Sequence, residues 1–115
     1  MSLQAEPLGD GIVSIVIGKA LDFRSAPEFK TMCQNLVQDG TRHFVLDFTG
    51  TGILDSTGLG SIFSIYRQVS PDGGQVVFAS VSRPVQVVVQ LTRTYKVFKQ
   101  FATVDEARAS LIPVA

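Results

Sequence analysis

The chain is poor in the residues that build disulfides, zinc sites and histidine-based catalytic centres. Of its 115 residues, one is cysteine (Cys33), one is histidine (His43) and none is tryptophan. A single cysteine excludes an internal disulfide and suits a reducing compartment, which predicts a cytoplasmic protein. Cys33 falls in a predicted helix, where we expect a buried apolar side chain rather than a reactive thiol. With no Cys/His cluster at zinc-ligand spacing, we expect neither a metal nor a cofactor.

The chain also lacks an excess of charge and a long hydrophobic run. Ten acidic residues balance ten basic ones, so the net charge gives no footprint for nucleic acid or anionic membrane. No apolar stretch approaches the roughly 20 residues of a membrane span, and no signal peptide is evident at the N-terminus. We therefore expect no nucleic-acid partner and no direct membrane insertion. An apolar content of 45% predicts one globular domain over residues 1–115.

What the sequence does contain is a regular alternation of strand and helix patterns. Strands are predicted at 12–17, 43–48, 75–79 and 99–102, and the strand at 12–17 is apolar enough to be central in a sheet. Helices are predicted from after Ser25 to about 38, from 57 or 58 to about 70, from after Ser82, and from after Thr103 to about 111. Residues 1–11 are predicted to be a loosely held lead-in, and residues 18–23 a loop or brief extension.

Three helix starts and one stop rest on specific residue types. Ser25 with Glu28, and Thr103 with Glu106, have the Ser/Thr-x-x-Glu spacing of a capping box, and Pro113 is expected to help end the last helix. Residues 85–91 are rich in valine and would suit a strand, but Ser82 before Arg83-Pro84 favours a helix. The predicted fold class is α/β: a mostly parallel or mixed sheet of four to five strands with about four helices packed on it.

The stretch 54–60, which joins the strand at 43–48 to the next helix, concentrates the chemistry. Asp55, Ser56 and Thr57 supply side-chain oxygens at a predicted helix start, where first-turn N–H groups attract hydrogen-bond acceptors and anions. Gly58 and Gly60 each cost a helix about 1 kcal/mol but leave the backbone open to another protein or a phosphate. A tight strand-to-helix turn with an ordinary cap explains the same residues without any function.

The chain offers little for catalysis. His43 opens a strand, so it is expected at the opposite sheet end from Ser56, which argues against a Ser-His-Asp arrangement. The Asp-Ser-Thr-Gly run carries one residue more than the Asp-Thr-Gly of aspartic proteases and continues into a helix. The glycine-rich pieces at 49–52 and 58–60 lack the Gly-Lys-Ser/Thr of a P-loop. We therefore predict that the protein is not an enzyme.

Around the stretch 54–60 and over most of the remaining chain, the sequence resembles the STAS domain of bacterial anti-sigma factor antagonists. The resemblance is carried by residues 55–60, the apolar helix to 69 and Gly73-Gly74. It extends to residues 18–22, the strands at 43–48 and 75–80, and Val97-Phe98, and so covers nearly the whole chain. Two departures are visible: Lys19 replaces a usual acidic residue, and residues 92–95 replace a small Ser/Thr-Gly-Leu. These departures affect which regulator the protein would bind, but they leave the hydroxyl groups of Ser56 and Thr57 in place.

The resemblance implies a binding protein controlled by phosphorylation. Ser56, with Thr57 as second choice, is the implied phosphoacceptor for a serine kinase that is also the anti-sigma factor, and a phosphatase acting on the phosphoserine is a further expected partner. Asp55 is adjacent, and Asp22 is expected near the same sheet end, where it is either functional or a turn carboxylate that caps nearby backbone. The predicted contact surface consists of Asp22, Asp55, Thr57, Gly58, Gly60, Ser61, Ser64 and Arg67.

The second helix is predicted to hide Leu59, Ile62, Phe63 and Tyr66 and to expose Gly60, Ser61, Ser64 and Arg67. Two other functions remain open from the sequence. One is a STAS accessory subunit of a transporter or lipid-trafficking complex, which docks without phosphate turnover. The other is a STAS module that binds a nucleotide through its glycine-rich loop.

Overall fold

The structure is a computed structural model that describes residues 3–112. Its strands are β1 (Gln4–Gly9), β2 (Ile12–Val16), β3 (Ala20–Leu21), β4 (His43–Asp47), β5 (Ile53–Leu54), β6 (Gln75–Ala79) and β7 (Gln100–Phe101). Its α-helices are α1 (Ala26–Gln38), α2 (Ser56–Val69), α3 (Arg83–Thr92) and α4 (Val104–Leu111), and 3-10 turns occupy Ser70–Asp72 and Thr94–Lys96. The predicted stop at Pro113 lies outside the described residues.

The main sheet has five strands in the order β1-β2-β4-β6-β7. The pairs β2–β4, β4–β6 and β6–β7 are parallel, whereas β1 runs antiparallel to β2. Strand β2 is therefore an interior strand rather than an edge, as its apolar sequence predicts. Strands β3 and β5 form a separate parallel pair. The α/β class with a mixed sheet and four helices agrees with the sequence-based expectation.

The first strand corrects the prediction of a loosely held lead-in. Residues 4–9 pair along β2, with an irregularity between Pro7 and Gly9. The hairpin turn requires positive φ at Gly9 (82°), Asp10 (56°) and Gly11 (73°), which glycine adopts without steric cost. Because β1 is an exposed edge strand, it lacks the continuous apolar pattern of a buried one and tolerates Pro7. The Gly-Asp-Gly turn was the available signal.

The helices cover both faces of the sheet and create two apolar clusters. On one face, helices α1, α2 and α3 pack through Phe29, Cys33, Ile62, Ile65, Val85 and Val89 onto alternate strand residues such as Phe44, Leu46 and Phe78. On the other face, α4 packs through Ala107 and Leu111 onto Val45, Val77 and Ala79. The period-2 alternation of each strand thus supplies both layers.

The helix starts predicted after Ser25, Ser82 and Thr103 are right in position, but only Thr103 makes the predicted N-cap hydrogen bond. Thr103 Oγ1 accepts from the Glu106 N–H at 3.1 Å. Ser25 does not cap α1, because its Oγ accepts from the Asp22 N–H and donates to the Ala20 carbonyl, both at 3.1 Å. Ser82 precedes α3 as predicted, yet its hydroxyl donates to the carbonyl of Thr51 instead of a helix N–H. Short polar side chains compete for whichever backbone group the tertiary fold brings closest.

Candidate functional site

Two acidic loops meet beside the small β3–β5 pair. Strand β3 ends at Leu21 and strand β5 at Leu54, residues that are register partners, so Asp22 and Asp55 leave the same end of a parallel pair. The Asp55 Oδ2 accepts from the Phe23 N–H at 3.0 Å, and the Asp55 N–H donates to the Leu21 carbonyl at 3.3 Å. The structure therefore brings the loop after β3 against the start of α2.

Asp55 is the N-cap of α2. Its backbone is extended, and its Oδ1 accepts from the Gly58 N–H at 2.8 Å. Its carbonyl accepts the first intrahelical bond, from the Leu59 N–H at 2.9 Å. One half-buried carboxylate thus joins two segments that are 32 residues apart, through one oxygen for each. The helix consequently begins at Ser56, one or two residues earlier than predicted.

Ser56 and Thr57 occupy the first turn of α2 and are both exposed. None of the described residues makes a hydrogen bond with the Ser56 Oγ. Because Asp55 takes the Gly58 N–H, the first-turn donors that remain are the N–H groups of Ser56 and Thr57, for which a helix has no internal acceptor. An exposed hydroxyl therefore lies at the positive end of a 14-residue helix, a place that favours an anion.

The two glycines of this turn differ in their surroundings. A Cβ at Gly58 would lie 2.2 Å from the Leu21 carbonyl oxygen, so glycine here lets α2 approach the β3 backbone. This corrects the interpretation that Gly58, which is buried, leaves backbone open to a partner. Gly60 is exposed, and a Cβ at this position would have no heavy atom within 4 Å other than those of its own helix backbone and chain neighbours. The surface at Gly60 is therefore open.

The faces of α2 largely agree with the prediction, although three of the predicted positions are only half-buried and Ser61 is wrongly placed. Leu59 and Ile62 are buried, whereas Phe63 and Tyr66 are half-buried against the core. Gly60 and Arg67 are exposed, and Ser64 is half-buried. Ser61 was expected on the outer face and is only 4% exposed. Its hydroxyl donates to the Gly58 carbonyl at 2.6 Å, which satisfies a small polar group at a buried position.

Asp22 is 4% exposed and organises its own loop. Its Oδ1 accepts from the N–H groups of Arg24 and Ser25, and its Oδ2 pairs with the Arg24 guanidinium at 3.1 Å. Burial by itself would raise the pKa of the Asp22 carboxyl, but the bonds from Arg24 and Ser25 together hold that pKa below its usual value. The Asp22 carboxylate thus caps nearby backbone. It can affect the binding of a partner only indirectly, by fixing the conformation of the loop after β3.

A shallow groove of about 580 Å³ runs between α1 and α2 next to the hydroxyl pair. Its α2 side consists of five predicted contact residues, namely Thr57, Gly60, Ser61, Ser64 and Arg67. Its α1 side is formed by Ala26, Pro27, Lys30, Thr31 and Gln34, none of which was singled out in the sequence. The groove therefore carries one cation on each wall and hydroxyl groups along its length.

Two exposed apolar side chains, one in the loop before α1 and one in strand β5 before α2, were also missed. Phe23 is 65% exposed and Ile53 is 50% exposed. The Arg24 guanidinium lies 5.7 Å from the centroid of the Phe23 ring. Ile53 follows the 49–52 turn, and its neighbour Leu54 is buried. A two-residue strand is too short to show an alternating pattern in the sequence. The only available signal was that Ile53 immediately precedes Leu54, because neighbouring residues of a strand face opposite sides.

His43 and Cys33 take structural positions. His43 begins β4, and its Nδ1 accepts from the Gln75 N–H at 3.1 Å. Burial and the neighbouring Arg42 lower the pKa of His43, which favours the neutral ring that this bond requires. Cys33 is fully buried in α1, as predicted, and burial raises the pKa of its thiol to about 12. Within residues 3–112, no cluster of His, Cys, Asp or Glu is arranged to hold a metal ion.

The sheet order, the helix placement and the hydroxyl at the start of α2 define a small α/β domain of the STAS class. A family model described as the STAS domain matches residues 7–107. The chain belongs to the STAS family. Over the part of the chain that the structure describes, no helix is both long and apolar enough to traverse a bilayer.

Known relatives agree with this membership. A putative anti-sigma factor antagonist of Thermotoga maritima is 27% identical over 99 residues, which are 85% of this chain and 88% of the relative. The crystal structure of a putative anti-sigma factor antagonist from that organism is 25% identical and has a TM-score of 0.85. That match covers 95% of this chain and 93% of the relative.

Two more distant structures share the fold alone. The Bacillus cell fate determinant SpoIIAA in its phosphorylated form has a TM-score of 0.77 at 19% identity, covering 96% of this chain and 99% of that one. A sulfate transporter family protein from Wolinella succinogenes has a TM-score of 0.76 at 16% identity, covering 91% and 88%.

Proposed function

We propose that this protein is an anti-sigma factor antagonist switched by phosphorylation at Ser56. Unphosphorylated, it binds an anti-sigma factor kinase in the cytoplasm and thereby frees a sigma factor; phosphorylated, it releases the kinase, and a phosphatase restores it. The observation that carries the proposal is the exposed Ser56 hydroxyl at the first position of α2. The relatives described as putative anti-sigma factor antagonists support the regulatory class.

The surroundings of Ser56 suit a modification that changes binding rather than folding. Its side chain is exposed and makes no hydrogen bond with any described residue, so adding a phosphate displaces nothing inside the protein. A phosphoserine carries about −1.5 to −2 charges at pH 7. Asp55, whose carboxylate is already fixed by Gly58 and Phe23, would stand beside that phosphate. Burying both against a partner would cost desolvation and repulsion.

The proposed contact surface consists of the groove between α1 and α2 together with the loops before these helices. It combines the exposed apolar side chains of Phe23 and Ile53 with the cations Lys30 and Arg67. Asp22 and Asp55 hold the two loops, while Thr57, Gly60 and Ser64 line the side nearest the hydroxyl. An apolar patch bordered by charges is a common composition for a regulated protein interface. We propose binding, and no catalysis, at this surface.

The phosphoacceptor is tested with the native chain, its cognate anti-sigma kinase and ATP. The expected product carries one phosphate, and mass spectrometry of the peptide spanning residues 55–67 places it on Ser56. Thr57→Ala, an equally exposed neighbour in the same turn, is the matched control and should still be phosphorylated, whereas Ser56→Ala should not. Modification of Thr57 alone, or of neither hydroxyl, would reject this assignment.

A pull-down from the native cell separates the proposal from a transporter-accessory role. The unmodified protein and Ser56→Ala should recover a soluble kinase, and Ser56→Asp should not. Recovery of membrane transport components, equal for the three proteins, would instead favour the accessory module. Calorimetry with ATP and GTP tests the nucleotide alternative in the same preparation.

A further inference from the structure

The balanced charge of the chain hides an uneven distribution. Between Asp72 and Asp105 the sequence contains four cations and no carboxylate. The cations are Arg83, Arg93, Lys96 and Lys99, and all four are exposed. The rest of the chain carries six cations against ten carboxylates. Residues 83–99, which comprise α3 and the segment that follows it, are therefore a locally basic stretch of a neutral chain.

The same residues expose apolar side chains that the core does not use. Leu91 is 80% exposed, Val87 52%, Tyr95 42% and Val97 41%. Arg83, Val87 and Leu91 are spaced by four residues, which places them on one face of α3, while Val85 and Val89 on the opposite face are buried. We call the outward side chains of residues 83, 87, 91, 93, 95–97 and 99 the α3 basic surface.

Two buried side chains, Thr94 and Phe98, anchor the segment after α3. Phe98 is fully buried and stacks on Phe78 with ring centroids 5.0 Å apart. Tyr66 meets the same ring edge-on at 5.6 Å. Thr94 is 5% exposed, and its hydroxyl lies 3.1 Å from that of Thr92. With Thr94 and Phe98 buried, the backbone that presents Tyr95, Lys96 and Val97 outward is already ordered, which lowers the cost of binding.

Arg93 places one of these cations just after α3. It adopts φ = 58° just after α3, a left-handed conformation that glycine adopts at a helix C-terminus without a Cβ penalty. An arginine there is strained, and its guanidinium is exposed. Arg93 therefore keeps a positive charge at the surface, at a backbone position that glycine would occupy with less strain.

We propose that the α3 basic surface docks the protein on an anionic lipid bilayer. The outer face of a helix and the turn after it form a convex surface, whereas helix or peptide recognition uses a groove in the receiving protein. A bilayer surface accepts protruding aliphatic and aromatic side chains at the headgroup level and attracts the surrounding cations. This peripheral docking needs no spanning segment, and it is independent of Ser56 and of the groove between α1 and α2.

The proposal is tested by sedimentation of the full chain with vesicles. Binding to vesicles of mixed phosphatidylserine and phosphatidylcholine is expected, with little binding to phosphatidylcholine alone and a strong decrease as salt rises. Lys96→Gln should weaken binding about fivefold, and Leu91→Ala about tenfold. Arg42→Gln is the matched control, because Arg42 is exposed and pairs with Asp72 outside this surface; it should leave the affinity unchanged.

A further variant separates docking from folding. Arg93→Gly should raise the melting temperature by relieving the strained backbone, and yet weaken vesicle binding about fivefold. Equal binding to neutral and anionic vesicles, or equal losses in Arg42→Gln and Lys96→Gln, would overturn the proposal. Failure to bind anionic vesicles would also overturn it. If an acidic protein then bound, and Leu91→Ala and Lys96→Gln weakened that binding, the surface would be a protein interface.

Discussion

Gly58 and Gly60 stand two residues apart in one helix and have different roles. Gly58 permits α2 to approach the carbonyl of Leu21, whereas Gly60 faces open space. The sequence alone does not distinguish the two glycines, because each is a residue of low helix propensity near a helix N-cap. The difference depends on β3, a two-residue strand that the sequence suggested only as a brief extension.

Alanine at each glycine separates these roles. Gly58→Ala should lower the free energy of unfolding by about 2 kcal/mol or more, because the neighbour that its Cβ meets is backbone. Gly60→Ala is the matched control and should raise it by about 0.5–1 kcal/mol through helix propensity. Urea denaturation of both variants is the measurement. A stable Gly58→Ala protein would contradict the close approach of α2 to Leu21.

Ser61 shows where residue patterns fall short. Its spacing from Gly60 and Ser64 placed it on an outer face, but it is buried and bonded to its own helix. The α1–α2 packing, a tertiary contact, covers more of α2 than an isolated amphipathic pattern indicates. Serine fits because its hydroxyl can return to the Gly58 carbonyl.

At the scale of elements, the start of α2 depends on one carboxylate with two tasks. Asp55→Ala removes the acceptor for Gly58 in the helix and for Phe23 in the neighbouring loop. It should lower the free energy of unfolding by about 1–2 kcal/mol, and partner affinity should fall as the loops separate. Ser56→Ala, one residue on, has no bond to lose and should stay within about 0.5 kcal/mol of the wild type. Equal thermal stabilities for the two variants would refute the cap's role.

The elements that could be predicted are those with a strong periodic pattern. All four helices and the apolar strands β2, β4 and β6 were identified within a few residues, and the strand–helix alternation led to the observed class. Strand β1 was missed because an exposed edge strand hides its pattern, and β5 because two residues have no period. The pairing of β3 with β5, which joins the two acidic loops, is long-range and leaves no local trace.

At the scale of the whole molecule, Asp22 gives stability a dependence on acid. Its folded pKa lies below that of an unfolded aspartate, about 3.9. The stability it contributes is therefore fully present above about pH 4 and is lost as the pH falls through the folded value. The difference in unfolding free energy between wild type and Asp22→Asn should be constant near neutrality and shrink on acidification. Arg24→Gln should reduce the same difference, whereas a difference that grows in acid would contradict the assignment.

Whole-molecule charge is a further quantity that composition alone cannot resolve. The net charge of zero argued against contact with an anionic membrane. A net charge, however, does not show where the individual charges lie. Arg83, Arg93, Lys96 and Lys99 are all exposed, and exposed apolar side chains lie between them along the chain. Their nearness along the chain was visible in the sequence. That Tyr95, Lys96 and Val97 are exposed between the buried anchors Thr94 and Phe98 became clear only from the structure.

The central claim is that one phosphate on Ser56 decides whether the kinase stays bound. The most direct measurement is titration calorimetry of the purified anti-sigma kinase with the unmodified protein and with the protein phosphorylated on Ser56. We expect about 150-fold weaker binding by the phosphorylated form, equivalent to about 3 kcal/mol. Equal affinities for the two forms would contradict the account.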